Sequence, residues 1–162
     1  MRLKEYQSNF SDNFYSNNLR LTLSTCINVV AHATEDVPKI LQKMNDVLSI
    51  PKEKILVSFA EGHWGNEISL IKVDCDHNES NVLLERIIAN LKIGEKKYLL
   101  QSISNSFDEK DNFYIRLNKQ SMCKGAISLS EHDSIRIRFK PIKEFNQNNK
   151  FKDHVISLFT KK

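Results

Sequence analysis

Glycine is scarce in this chain, four residues in 162, and proline scarcer still, with three. Phosphate-cradling loops of the Walker or G-x-G-x-x-G type need glycines clustered between a strand and a helix. No such cluster occurs. The three cysteines, Cys26, Cys75 and Cys123, stand far apart without C-x-x-C spacing, which argues against a disulfide framework and a structural zinc site. Cys26 and Cys75 lie in apolar stretches and read as small core residues. No apolar run approaches the roughly 20 residues that cross a bilayer, and the opening MRLKEYQSNFSDNF lacks the apolar core of a signal peptide. A cytoplasmic protein without membrane contact is expected. HExxH, GxSxG and paired-carboxylate signatures are missing as well. No catalytic residue, metal or cofactor is therefore expected, and the protein reads as a non-enzyme. Asp74, Asp76 and His77 stand together and are of the type that ligates a hard cation, but acidic residues after a strand more often solvate a loop. His32 has no nucleophile or carboxylate partner that the sequence can argue, and reads as structural.

What is present is an ordinary globular composition, 40% hydrophobic and 27% charged. A single domain of this length buries roughly 70% of its unfolded surface. Residues 1–18 read as a polar N-terminal extension, 19–143 as the domain, and 144–162 as a linker with a short helix. Odd positions from Leu19 to Ala33 are apolar except Thr25, which predicts a long half-buried strand. Thr34 is the expected cap of a helix running to Leu48, with Pro38 early enough to be tolerated. Strands follow at Ile55–Ala60 and Ile68–Asp74. A helix over Asn78–Leu91 is expected to be capped by Asn78 or Ser80 and ended by Gly94. A second helix spans Tyr98–Phe107. Strands are predicted at 113–118, Ala126–Ser130 and 135–140. Phe151, Val155, Ile156 and Phe159 suggest a terminal helix. The order β-α-β-β-α-α-β-β-β indicates an α+β fold, a mainly antiparallel sheet with helices on one face.

Charge is uneven along the chain. Residues 110–143 hold eight Lys/Arg against three Asp/Glu, whereas residues 1–109 hold 12 against 15. Phe113, Ile115 and Leu117 alternate with Tyr114, Arg116 and Asn118, and Ile135, Ile137 and Phe139 alternate with Arg136, Arg138 and Lys140. With the apolar sides together, Tyr114, Arg116, Arg136, Arg138 and Lys140 share one face, a surface suited to a polyanion. The competing reading is a solvated face whose arginines only discourage edge pairing.

Glu61-Gly62-His63-Trp64-Gly65-Asn66 links two strands, and its glycines suit a hairpin. His63 and the only tryptophan sit at its tip. Trp64 either stacks on an exposed base or folds back over the sheet.

Three segments carry a resemblance. VVAHATED at 29–36, EGHWGNEI at 61–68, and FYIRLNKQ at 113–120 with KGAISL at 124–129 resemble, in order, an archaeal family described as RNA-binding and as a predicted exosome subunit. The resemblance spans residues 20–140. It implies a fold similar to the ribosomal protein that binds 5S rRNA. It also singles out His32, Ala33 and Thr34, then Glu61, Gly62, His63, Gly65 and Asn66, then Arg116, Lys119 and Gln120. Two positions depart from the family pattern: Asn118 replaces a usual acidic residue, and Glu67 a common proline. The expected RNA contacts are Tyr114, Arg116, Lys119, Arg136, Arg138, Lys140, His63 and Trp64. RNA is the expected partner, with an exosome or ribosomal component and a second copy of the chain as further candidates. The alternative function is a protein-interaction or dimerisation module whose sheet edge or terminal helix binds another protein or a second copy, with Phe151, Val155 and Phe159 supplying the apolar contact.

Overall fold

The computed structural model describes residues 22–142 and 149–161. The expected N-terminal extension and most of the expected linker lie outside them. Five strands form one antiparallel sheet: β1 (Thr22–Ala31), β2 (Ile55–Glu61), β3 (Glu67–Cys75), β4 (Phe113–Asn118) and β5 (Ser134–Pro141), in the order β2-β3-β1-β5-β4. Period-two alternation sets the register. Ile27 of β1 lies opposite Val73 and Ile137, Val73 opposite Ile55, and Ile137 opposite Ile115. A single aliphatic row therefore crosses all five strands on one face, and a one-residue slip would turn it out to water.

That face is covered by α1 (Val37–Leu48), α2 (His77–Asn90) and α5 (Lys150–Thr160). They bury Ile40, Met44 and Leu48, then Leu83, Leu84, Ile87 and Ile88, then Phe151, Val155, Leu158 and Phe159. α3 (Ile93–Gln101) and α4 (Lys119–Cys123) complete the α-helices among the described residues. Cys75 is buried, and burial pushes its thiol up to about 11. Thr25, the one polar member of the inward row, is buried with its hydroxyl unpartnered among the described residues; such an orphan costs about 1–3 kcal/mol.

The α+β architecture is as the periodicity predicts; several boundaries differ. β1 ends at Ala31, because residues 32–35 form a turn in which the Glu35 N–H donates to the His32 carbonyl at 2.9 Å. The cap of α1 is accordingly Asp36 rather than Thr34, its carboxylate accepting from the Lys39 N–H. α2 starts earlier than expected, on a reciprocal capping box between Asp76 and Glu79. Gly94 does not end that helix but lies inside α3, which stops at Gln101 before a 3-10 turn at Ile103–Ser106. The expected strand at Ala126–Ser130 shrinks to one bridge, Leu129 against Leu117. The terminal helix is not a free apolar surface: its Phe151, Val155 and Phe159 complete this chain's own core. This removes the expected apolar contact to a partner. Among the described residues no helix is long and apolar enough to cross a membrane.

Candidate nucleic-acid interface

With all three covering helices on one side, the opposite face of the sheet is bare among the described residues. Its residues fall in rows fixed by the register. Arg116 lies opposite Arg136, which neighbours Asn28 and then Lys72. In the next row Tyr114 lies opposite Arg138, followed by Cys26 and Asp74. Lys140 faces Ser24 one row further. Tyr114, Arg116, Arg136, Arg138 and Lys140 are all exposed, and the structure brings these five together. Lys72 joins them, although its ammonium is engaged by Asp74 at 3.1 Å. Sequence reasoning missed Lys72, whose place depends on the strand order. Among the described residues none of the three arginines, nor Lys140, has a salt-bridge partner. Two arginines directly opposite each other destabilise a sheet, so the fold itself gains nothing from the Arg116–Arg136 pair.

The β4 edge of this face is walled by the 107–112 loop. Asp108 organises that loop, accepting from the N–H groups of Lys110 and Asn112, from Asn112 Nδ2 and from the Tyr114 hydroxyl at 2.8–3.0 Å. Desolvation alone would raise the Asp108 pKa, but these bonds outweigh it and hold the carboxyl below its ordinary value. Desolvation and the Asp108 bond raise the Tyr114 phenol, against the opposing pull of Arg138. A cleft of about 650 Å³ results, between the Asp108 loop and the side chains of Tyr114, Arg138 and Lys140. Its lining combines the Phe107 and Tyr114 rings with the cations Lys110, Arg138 and Lys140 and the carboxylates Asp108 and Glu109.

The hairpin tip is turned tightly. Gly65 has φ +76°, and a Cβ on Gly62 would come within 2.6 Å of Asn66 Oδ1. Gly65 is therefore required by the backbone, whereas a side chain at Gly62 would displace the Asn66 side chain. Trp64 is 88% exposed, with the His63 ring beside it in an edge-on contact at 4.9 Å between centroids. The tip lies about 20 Å along β3 from Lys72, at about 3.3 Å per residue. If single-stranded RNA reaches the tip, Trp64→Ala should cost about 1–3 kcal/mol of RNA affinity and leave the melting temperature unchanged. A melting temperature lowered by many degrees would instead make Trp64 part of the packing.

Lys119 does not belong with the exposed cations. Only 1% of its surface is accessible. Its ammonium donates to the Val30 carbonyl at 2.6 Å and Glu35 Oε2 at 2.7 Å, and pairs with Asp133 Oδ1 at 2.7 Å. Glu35 also accepts from the His32 N–H at 2.8 Å, and His32 Nε2 lies 3.9 Å from Asp133. The ligand atoms of His32, Glu35 and Asp133 lie within 4.8 Å of one another, but the lysine ammonium already serves as the cation for both carboxylates. Asp74 and Asp76 are likewise accounted for, one by Lys72 and the other by the cap of α2. Asn118, where the resembled family is usually acidic, caps α4 by accepting from the Ser121 N–H at 2.8 Å.

The model of a family described as RNA binding matches residues 25–141. The chain belongs to that family. An RNA-binding protein of Pyrococcus abyssi is 32% identical to this family member over 120 residues, 70% of this chain and 78% of that protein. Two solved structures share the fold. Protein AF2318 of Archaeoglobus fulgidus, described as DUF54, has a TM-score of 0.69 at 22% identity, over 85% of this chain and 99% of its own. Mth689 of Methanothermobacter thermautotrophicus, a DUF54 protein, has a TM-score of 0.69 at 20% identity, over 86% and 98%. The family match covers all five strands but for the first residues of β1, and so includes Tyr114, Arg116, Arg136, Arg138 and Lys140 of the bare face.

Proposed function

We propose that the protein binds single-stranded RNA on the bare sheet face and does not cleave it. The observation that carries this reading is the set of four exposed cations, Arg116, Arg136, Arg138 and Lys140, without salt-bridge partners among the described residues, on a face that no described helix covers. Phosphates supply the counter-charge these side chains lack. Tyr114 and Trp64 add rings on which unpaired bases stack. The family's RNA-binding description supports the same reading. An accessory role in RNA processing, at an exosome or in ribosome assembly, is the cellular setting we attach to it, supported by the motif resemblance.

Titration of a labelled single-stranded RNA at increasing salt tests the proposal. Four phosphate contacts should give a slope of log K against log salt of about −3, at about 0.7 per contact for single strands. Binding that does not respond to salt would point to an apolar contact, and absence of binding would end the proposal. The same RNA should survive incubation with Mg²⁺ or Mn²⁺, since two-metal chemistry needs free carboxylates and Glu35, Asp133, Asp74 and Asp76 are engaged by Lys119, Lys72 and the cap of α2.

A further inference from the structure

The two edges of the sheet are treated differently. The outer edge of β4 is overlaid: Phe107 bridges to Phe113 and Leu129 to Leu117, and the Asn118 and Ser130 N–H groups find the Ser128 and Arg116 carbonyls at 2.8 and 3.0 Å. Among the described residues nothing pairs with the outer edge of β2. Open edges are ordinarily blunted by lysine, proline or a bulge. From Ile55 to Ala60, β2 has none of these, and it pairs with β3 without a register shift.

The edge is apolar on both faces. Leu56 is 64% exposed on the bare face, and Phe59 is 65% exposed on the helix side. Among the described residues no strand pairs with its outward backbone groups either. The Gly62 N–H donates to the Asn66 carbonyl at 2.7 Å, which makes residues 62 and 66 a hydrogen-bonded pair. Hydrogen-bonded and non-bonded pairs alternate along an antiparallel ladder. The N–H and C=O groups of Val57, Phe59 and Glu61 therefore point outward from the sheet, as does the Ile55 carbonyl, while the Ile55 N–H donates to the Lys52 carbonyl.

We propose that a second copy of this chain docks here, β2 antiparallel to β2, to make a continuous ten-stranded sheet. A two-fold axis through Ser58, perpendicular to the sheet, uses all seven residues of the strand. Val57 of each copy then faces Phe59 of the other, Leu56 faces Ala60, and Ile55 faces Glu61. The two apolar pairings recur on both sides of the axis and no like charges meet, so the strand is complementary to itself. In the first pairing Val57 and Phe59 both have outward amides, as a hydrogen-bonded pair requires; in the third the Glu61 N–H meets the Ile55 carbonyl, while the Ile55 N–H stays with Lys52. The same axis keeps both bare faces on one side. The two β5 strands, with their arginines, are then seven strand spacings apart, about 34 Å at about 4.8 Å each.

Sedimentation equilibrium of the full chain should give a particle of twice 18.8 kDa. Phe59→Lys places a charge on the edge, and Phe59→Pro removes an outward N–H that β3 does not use, a substitution edge strands tolerate. Each should halve the mass with the far-UV circular dichroism of the parent, and Phe59→Lys decides alone if the proline variant does not fold. The monomeric Phe59→Lys protein should still bind a short RNA, so the dimer and the RNA reading stand or fall separately. A parent that sediments as a monomer overturns the proposal, as does a dimer that survives in either folded variant. A monomer that dimerises only after residues 2–18 are deleted overturns it too, since this chain's own N-terminal segment then occupies the edge.

Discussion

Lys119→Met should destabilise the protein by about 3 kcal/mol, at the lower end of the cost of breaking a buried ion pair. The lysine joins three segments distant in sequence: the end of β1 through the Val30 carbonyl, the following turn through Glu35, and the residue before β5 through Asp133. Methionine keeps an apolar stem of similar length but leaves Glu35 and Val30 without their donor. Asp133 is about half exposed and can be rehydrated, which keeps the loss from reaching the upper end of that range. Urea unfolding gives the number directly. With a slope of about 1–3 kcal/mol per molar, the midpoint should fall by about 1–3 M. A double variant, Lys119→Met with Glu35→Gln, should lose less than the sum of the single changes, because neither then strands the other's charge. Parent-like stability in Lys119→Met would show that the pair is idle. RNA affinity of the folded variant should match the parent, which separates a structural lysine from a phosphate-binding one.

How much of this was legible beforehand can be argued from single residues. Alternation in 113–118 and 135–140 places Tyr114, Arg116, Arg136, Arg138 and Lys140 on one face because a strand's period is local information. The hairpin glycines are legible for the same reason. Lys119 was not legible. It follows Arg116 and Asn118 closely, and only the closure of the sheet brings it against Glu35, 84 positions away. Both segments stood out in the motif resemblance, yet a motif position does not say whether it touches RNA or its own fold. The terminal helix fails in a similar way: spacing shows that Phe151, Val155 and Phe159 share a face, not which surface covers it. Helix caps moved because Thr34, Glu35 and Asp36 compete for one role, and the turn at His32–Glu35 settles it in favour of Asp36. The four donors to Asp108 become visible only once the loop closes over β4.

The double substitution Arg136→Ala, Arg138→Ala should weaken RNA binding on the order of a hundredfold, at about 1.5 kcal/mol for each charge-assisted contact. It should act on every RNA sequence alike, because phosphate contacts carry no base information. The salt slope should fall by about two contacts. Stability should hold or rise slightly, since both side chains are exposed and the change relieves the facing of Arg116 and Arg136. The slope distinguishes this face from the hairpin tip. Trp64→Ala removes a ring and should lower affinity at all salt concentrations without changing the slope, whereas the arginine pair changes both. If the double variant binds RNA as the parent does, with the same slope, the bare face is only solvated and RNA must be held elsewhere. If affinity falls but the slope does not, the arginines act by positioning Tyr114 rather than by meeting phosphate. Tyr114→Phe would then show no loss and Tyr114→Ala the whole of it, since stacking needs the ring and not the hydroxyl bonded to Asp108.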